Sequence, residues 1–176
     1  MRVLLSIIAV SFFLLSACAT IPTKDITIDT DMDPQATFSS YKTYEWLAAA
    51  GIMSDPEGKW EPPGVDVDAE ITFLIDRELR KRGMTETSMK PDLYVAYVLG
   101  VDMEALKLKE NPETKISTLK NVPGGAFLLV LIDAQSTDAV WAGLATAELQ
   151  QDMDMETRKK RLDYVVTNML KELPSE

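Results

Sequence analysis

Residues 25–30 alternate polar side chains with Ile26 and Ile28, the period-two pattern of a strand with one buried face. Residues 38–47 repeat it with heavier side chains. Tyr44 and Trp46 share one face while Thr43, Glu45 and Leu47 share the other, which predicts a second strand whose aromatics fill a core. The pattern then breaks over residues 48–64, where Gly51, Pro56, Gly58, Pro62, Pro63 and Gly64 sustain neither a helix nor a central strand. Trp60 sits in this long loop, either folded back over a sheet edge or available to a ligand.

Helical periodicity follows. Val67, Ile71, Leu74, Ile75 and Leu79 recur on one face, with Asp66 or Asp68 as the cap. Arg80, Lys81 and Arg82 gather at the negative end of the helix dipole, and Gly83 can close the helix in the left-handed conformation. After Pro91-Asp92, residues 93–99 are rich in β-branched and aromatic side chains and apolar on both faces, predicting a central strand that runs on toward Met103. Residues 104–122 are lysine-rich and broken by Pro112, a hairpin extension or a mobile loop. Residues 126–132 and 139–147 read as two strands joined by a turn over 133–138, and Gly143 in the return strand marks a bulge or a close approach. Met155, Leu162, Val165, Val166, Met169, Leu170 and Leu173 form a last apolar helix face, capped by Asp152 or Asp154 and stopped by Pro174.

The element order is therefore ββαβββα. It predicts an α+β fold, an antiparallel or mixed sheet packed on one face by two α-helices. Because the central strands are apolar on both sides, the other face needs loops, a partner or a ligand to cover it. Tyr94 on the first central strand and Trp60 in the long loop are the candidate contact residues for that ligand or partner.

The N-terminus adds an address. Arg2 precedes an apolar run over residues 3–15 interrupted only by Ser6 and Ser11, a secretory signal too short for the roughly 20 residues of a membrane-spanning helix. Leu15-Ser16-Ala17-Cys18 resembles the lipobox of bacterial lipoproteins, and Cys18 is the only cysteine. That resemblance implies cleavage after residue 17, acylation of Cys18 with palmitate-type chains, and a contact with membrane lipid through them. Two or more chains suffice for stable anchoring at about 0.8 kcal/mol per buried methylene. Ala19 in place of aspartate implies, by the lipoprotein sorting rule, an outer-membrane anchor with the domain facing the periplasm. The organisation expected is a signal peptide over 1–17, a lipidated N-terminus and tether over 18–24, and one domain over 25–176, a size that needs neither disulfides nor a metal for its stability.

Charge and composition remove several function classes. With 18 basic and 28 acidic residues, net −10, the chain is a poor partner for nucleic acid. There is no histidine, no second cysteine and no G-x-S-x-G element, which excludes His-based triads and leaves carboxylate pairs as the only familiar hydrolytic chemistry. Asp29, Asp31 and Asp33 invite a calcium reading, but the sixth and twelfth positions of an EF-hand loop would be Pro34 and Ser40, so a turn-forming acidic loop is expected. The basic run Arg158-Lys159-Lys160-Arg161 must wrap around most of a helix and is expected to form a solvated, salt-bridged face.

Several pieces together resemble the bacterial lipoprotein family known as domain of unknown function 4136. They are the aromatic strand with Phe38, Tyr41, Thr43, Tyr44 and Trp46, the helix exit at Gly83, Pro91-Asp92-Leu93 with Val95 and Tyr97, and the hairpin with Asp133, Thr137, Val140-Trp141 and Gly143. The lysine-rich stretch departs from the glycine- and tyrosine-rich loop that the resemblance leads one to expect. The family implies a lipoprotein with an α+β domain, no reaction, no cofactor and no catalytic residue. The expectation is a non-enzymatic binding or interaction module of the cell envelope. An accessory subunit of an envelope transport or assembly complex is the alternative, and a carboxylate-based hydrolase is a third class.

Overall fold

The pattern of alternation becomes a six-stranded mixed sheet with two helices on one side. A computed structural model of the chain describes residues 21–47, 66–101, 108–110, 117–119, 125–148 and 153–174. The strands are β1 (Thr27–Met32), β2 (Thr43–Trp46), β3 (Thr85–Glu86), β4 (Leu93–Val101), β7 (Gly125–Asp133) and β8 (Ala139–Ala147), and β5 (Leu108–Glu110) pairs with β6 (Ser117–Leu119) in a separate hairpin. The helices are α1 (Val67–Lys81) and α2 (Met155–Lys171). The sheet order is β1-β8-β7-β4-β2-β3, antiparallel from β1 to β4 and parallel from β4 through β2 to β3. The expected fold class is present, in its mixed form. The two-residue β3 carried no pattern long enough to predict it.

Local chemistry sets the ends of the helices. Asp66, not Asp68, caps α1 by accepting from the Ala69 amide at 3.0 Å, and Asp154, not Asp152, caps α2 through Thr157 at 2.9 Å. Asp68 instead accepts from the Tyr97 hydroxyl. At the end of α1 the Met84 amide donates to the Leu79 carbonyl (3.1 Å) and the Gly83 amide to Arg80 (3.0 Å), with Gly83 at φ +77°, a paired closure that draws Met84 into the core. The aromatic stretch departs from a continuous strand: Phe38–Ser40 form a 3₁₀ turn and only Thr43–Trp46 are extended.

The core lies between the sheet and the helices. Leu93, Val95 and Tyr97 of β4, Leu129 and Leu131 of β7 and Trp141 of β8 point into it, meeting Ile71, Ile75 and Leu79 of α1 and Val166, Met169 and Leu170 of α2. Gly143 is a point of close approach. A Cβ there would lie 2.5 Å from Met169 Cγ and 2.6 Å from the Trp141 ring, so the absence of a side chain lets the indole and the thioether close over the strand. The bulge of the hairpin falls elsewhere, between Leu131 and Ile132.

The two helices run parallel, as their cross-links show: Lys159 reaches Glu70 (2.7 Å), Arg77 reaches Asp163 (2.5 Å), and Arg82 reaches the Leu170 carbonyl. Buried Glu78 sits in the seam, accepting from Arg77 and Lys81 at 2.8 Å each. Burial works against its charge, but the bonds from Lys81 and Arg77 prevail and hold its carboxyl below the usual range. The basic run on α2 is ion-paired as expected, Lys159 with Glu70 and Lys160 with Glu156, but Arg161 is buried. Its guanidinium forks onto both oxygens of Asp25 at 2.9 and 2.6 Å and donates to the Pro22 carbonyl, fastening the chain from Pro22 onward to α2.

Gly143→Ala forces Met169 or Trp141 from its position and lowers the unfolding free energy by about 1–3 kcal/mol, measured by chemical denaturation. Arg161→Ala strands Asp25 and costs on the order of 3 kcal/mol, whereas Lys160→Ala, at an exposed pair, changes stability by about 0.5 kcal/mol or less. The Arg161 hydrogen bond holds the Asp25 carboxyl below its ordinary 3.8, against the upward effect of burial. A depressed folded pKa contributes stability above the unfolded value and loses it as the pH falls through the folded one. The gap between native protein and Asp25→Asn is therefore full at neutral pH and closes as the pH drops below 3.8.

Candidate binding face

Strand alternation puts a second apolar surface on the sheet, opposite the helices. Along β4 and β7 the side chains left over from the core pair across the ladder as Tyr94 with Ile132, Ala96 with Val130 and Val98 with Leu128. On β8, Leu144 stands opposite Leu128 and Ala142 opposite Val130. Leu144 and Ala126 are buried and form a small cluster with Leu128, while Tyr94, Val98, Val130 and Ile132 are half-buried. The face is continuous over three strands, with no charged side chain among these positions.

Its borders are acidic. Glu45 on β2 is the register partner of Tyr94, and Asp29 and Asp31 on β1 stand opposite Leu144 and Ala142. The surface is thus an apolar floor between carboxylate rims, and among the described residues the Tyr94 ring is its one large aromatic. Its hydroxyl donates to no acceptor among the described residues. This arrangement can hold an apolar or amphipathic group by burial.

Two carboxylates away from this face are engaged by backbone amides. At the opposite end of the sheet from the helix starts, Asp92 Oδ2 accepts from the Lys42 amide (2.8 Å), the Thr43 amide (2.9 Å) and the Thr43 hydroxyl (2.8 Å). Asp133 Oδ1 accepts from the Gln135 and Ser136 amides at 2.8 Å each, and its Oδ2 takes the Tyr41 hydroxyl at 2.9 Å. Backbone donors, from Lys42 to Asp92 and from Ser136 to Asp133, are the largest causes that hold both carboxyls below their usual range. Burial, then the bond to Asp133, pushes the Tyr41 phenol up to about 12, so it stays protonated and donates. Tyr41, Thr43, Asp92 and Asp133 therefore act together as a lock joining three turns. Asp133 thus serves its turn as the acceptor for two backbone amides.

Asp76 forms a second polar tie, accepting from the Tyr44 hydroxyl (2.8 Å) and the Trp46 indole (3.1 Å), so both aromatics of β2 serve the core as expected. No cluster of three or more carboxylate, cysteine or histidine side chains among the described residues could hold a metal, and no helix among them is long and apolar enough to cross a membrane. Of the residues singled out in the sequence, Tyr94 lies on the second sheet face, while Trp60 and Cys18 lie outside the described residues. Val98, Leu128 and Val130 were not singled out. Their signal was there, in the alternate members of apolar runs whose other half fills the core.

Comparison with known proteins places this fold. The chain is similar to a solved DUF4136 family protein of Bacteroides thetaiotaomicron at 9% identity, covering 84% of this chain and 95% of that one with a TM-score of 0.60. It is similar to the PelC dodecamer of Paraburkholderia phytofirmans at 13% identity, 86% and 99% coverage and a TM-score of 0.52. A PDZ domain protein of Parabacteroides distasonis shares the fold at 16% identity and a TM-score of 0.50, over 86% of this chain and 37% of that one. No curated protein matches. The family model for a domain of unknown function, DUF4136, matches residues 28–175, nearly all of the strands and helices described above, and the chain belongs to that family.

Proposed function

We propose that this chain is a lipid-anchored envelope protein, acylated at Cys18 in the outer membrane, whose periplasm-facing domain is a non-enzymatic binding module. The observation that carries the binding reading is the apolar second face of the sheet around Tyr94 and Val130, framed by Glu45, Asp29 and Asp31. Burial of such a face contributes roughly 25 cal/mol per Å² of apolar area, so a partner needs only a modest complementary surface. The anchor reading rests on the apolar run over residues 3–15, the lipobox-like Leu15-Ser16-Ala17-Cys18 and Ala19 after it. The non-enzymatic reading is supported by the engagement of Asp92 and Asp133 with backbone amides, which spends their lone pairs on structure.

A second reading, an accessory subunit of an envelope transport or assembly complex, is favoured by the fold it shares with PelC, a protein solved as a dodecamer. The two readings differ in what covers the apolar face: a separate ligand or partner in the first, a fixed neighbouring subunit in the second.

Cys18→Ser abolishes acylation and moves the protein from the membrane to the soluble fraction, checked by intact mass and fractionation. Acyl chains on the variant, or none on the native protein, would sink the anchor. For the binding face, a photoreactive residue in place of Tyr94 gives a reproducible adduct in cells that the same residue in place of exposed Tyr164 on α2 does not. Adducts from the helix side alone overturn the assignment.

A further inference from the structure

The clamp on the N-terminal chain fixes more than stability. Pro22 and Asp25 are held by Arg161, Ile26 and Ile28 pack on the core, and the Ile26 amide donates to the Thr23 carbonyl at 3.1 Å. The chain is thus part of the folded body from Pro22, only four residues after Cys18. Four residues reach about 14 Å when fully extended. A nine-residue strand such as β4 is roughly 30 Å long. The tether is shorter than the domain it holds.

Topology says which end it holds. Thr27 at the start of β1 pairs with Thr146 near the end of β8, Gly125 at the start of β7 pairs with Ala147, and Val101 at the end of β4 pairs with Gly125. Both helices also begin there, since Asp68 in the first turn of α1 meets Tyr97, and Lys159 near the start of α2 meets Glu70. The lock of Tyr41, Thr43, Asp92 and Asp133 is at the other end of the same strands, where Leu93 pairs with Asp133.

We propose that the pole at which both helices begin faces the bilayer, held there by the Arg161 clamp and the four-residue tether, while the Asp92–Asp133 pole points away from it. This rests on acylation of Cys18 as proposed above. A side-lying arrangement would set β1 against the lipid, pressing the exposed carboxylates of Asp29 and Asp31 toward an anionic surface that repels them. The basic run of α2 lies at the bilayer-facing pole, but Lys159 and Lys160 already have carboxylate partners, so the covalent tether rather than charge attraction sets the orientation.

The test uses the acylated full-length mature protein in vesicles of phosphatidylethanolamine and phosphatidylglycerol. Cys18 is blocked by its lipid and is the only cysteine, so a thiol added by Glu148→Cys at the near pole or Gln135→Cys at the far pole takes a fluorophore selectively. Energy transfer to a short-range acceptor on lipid headgroups is expected to be several-fold greater from position 148 than from position 135. A flexible Gly/Ser spacer of about twenty residues between Thr20 and Ile21, with a reach of roughly 25 Å, is expected to reduce that ratio toward one. Vesicle flotation separates the two ideas. Protein that fails to float removes the anchor itself, whereas protein that floats with equal transfer from both positions, with more from 135, or with a ratio unmoved by the spacer, overturns the orientation.

Discussion

Two helices lying parallel on one sheet face impose the constraint that the rest of the structure answers. Their dipoles point the same way, so both carbonyl ends, with their partial negative charge, fall at one pole. Arg82 resolves that pole. Its guanidinium donates to the Glu78 carbonyl in the last turn of α1 and to the Leu170 carbonyl in the last turn of α2, with the Glu78 carboxylate at 3.6 Å. Glu78 in turn gathers Arg77 and Lys81, and Arg77 reaches across to Asp163 and Thr167. A buried carboxylate would be costly alone, and here it is the hub through which the helix pair is registered.

With the helices registered, the sheet beneath them can carry large side chains on one face. Trp141 and Met169 meet across Gly143, and Tyr44, Trp46 and Tyr97 each bring a polar tip to a carboxylate of α1. These aromatic hydroxyl and indole groups are therefore satisfied inside an otherwise apolar layer. Polar ties of this kind fix which turn of helix lies over which strand, something that apolar contact alone specifies weakly.

Most of this architecture was legible in the sequence because periodicity reports burial directly. The faces of α1 and α2, the alternation in β1 and β2 and the doubly apolar β4 and β7 all emerged from spacing, and Gly83 announced the end of α1. What spacing could not show were contacts between residues far apart in the chain. Arg161 reads as one of four exposed cations until Asp25, 136 residues earlier, is seen beside it. Likewise Asp76 looks like an ordinary exposed helix residue, yet it accepts from two aromatics of β2. The two-residue β3 and the choice of Asp66 over Asp68 as cap depend on register, not on composition. Of the second apolar face, Tyr94 was singled out by its aromatic ring, while Val98, Leu128 and Val130 were not, because an apolar run does not by itself say which of its two faces the helices cover.

β1 lies at one edge of the described sheet. Among the described residues this six-residue strand has a sheet neighbour on one side only, and an edge strand is a template for a second strand. Asp29 and Asp31 stand two residues apart on that edge, so two copies approaching edge to edge would bring four carboxylates together. Like-charge repulsion thereby opposes the edge-to-edge pairing that would extend the sheet from one copy into the next.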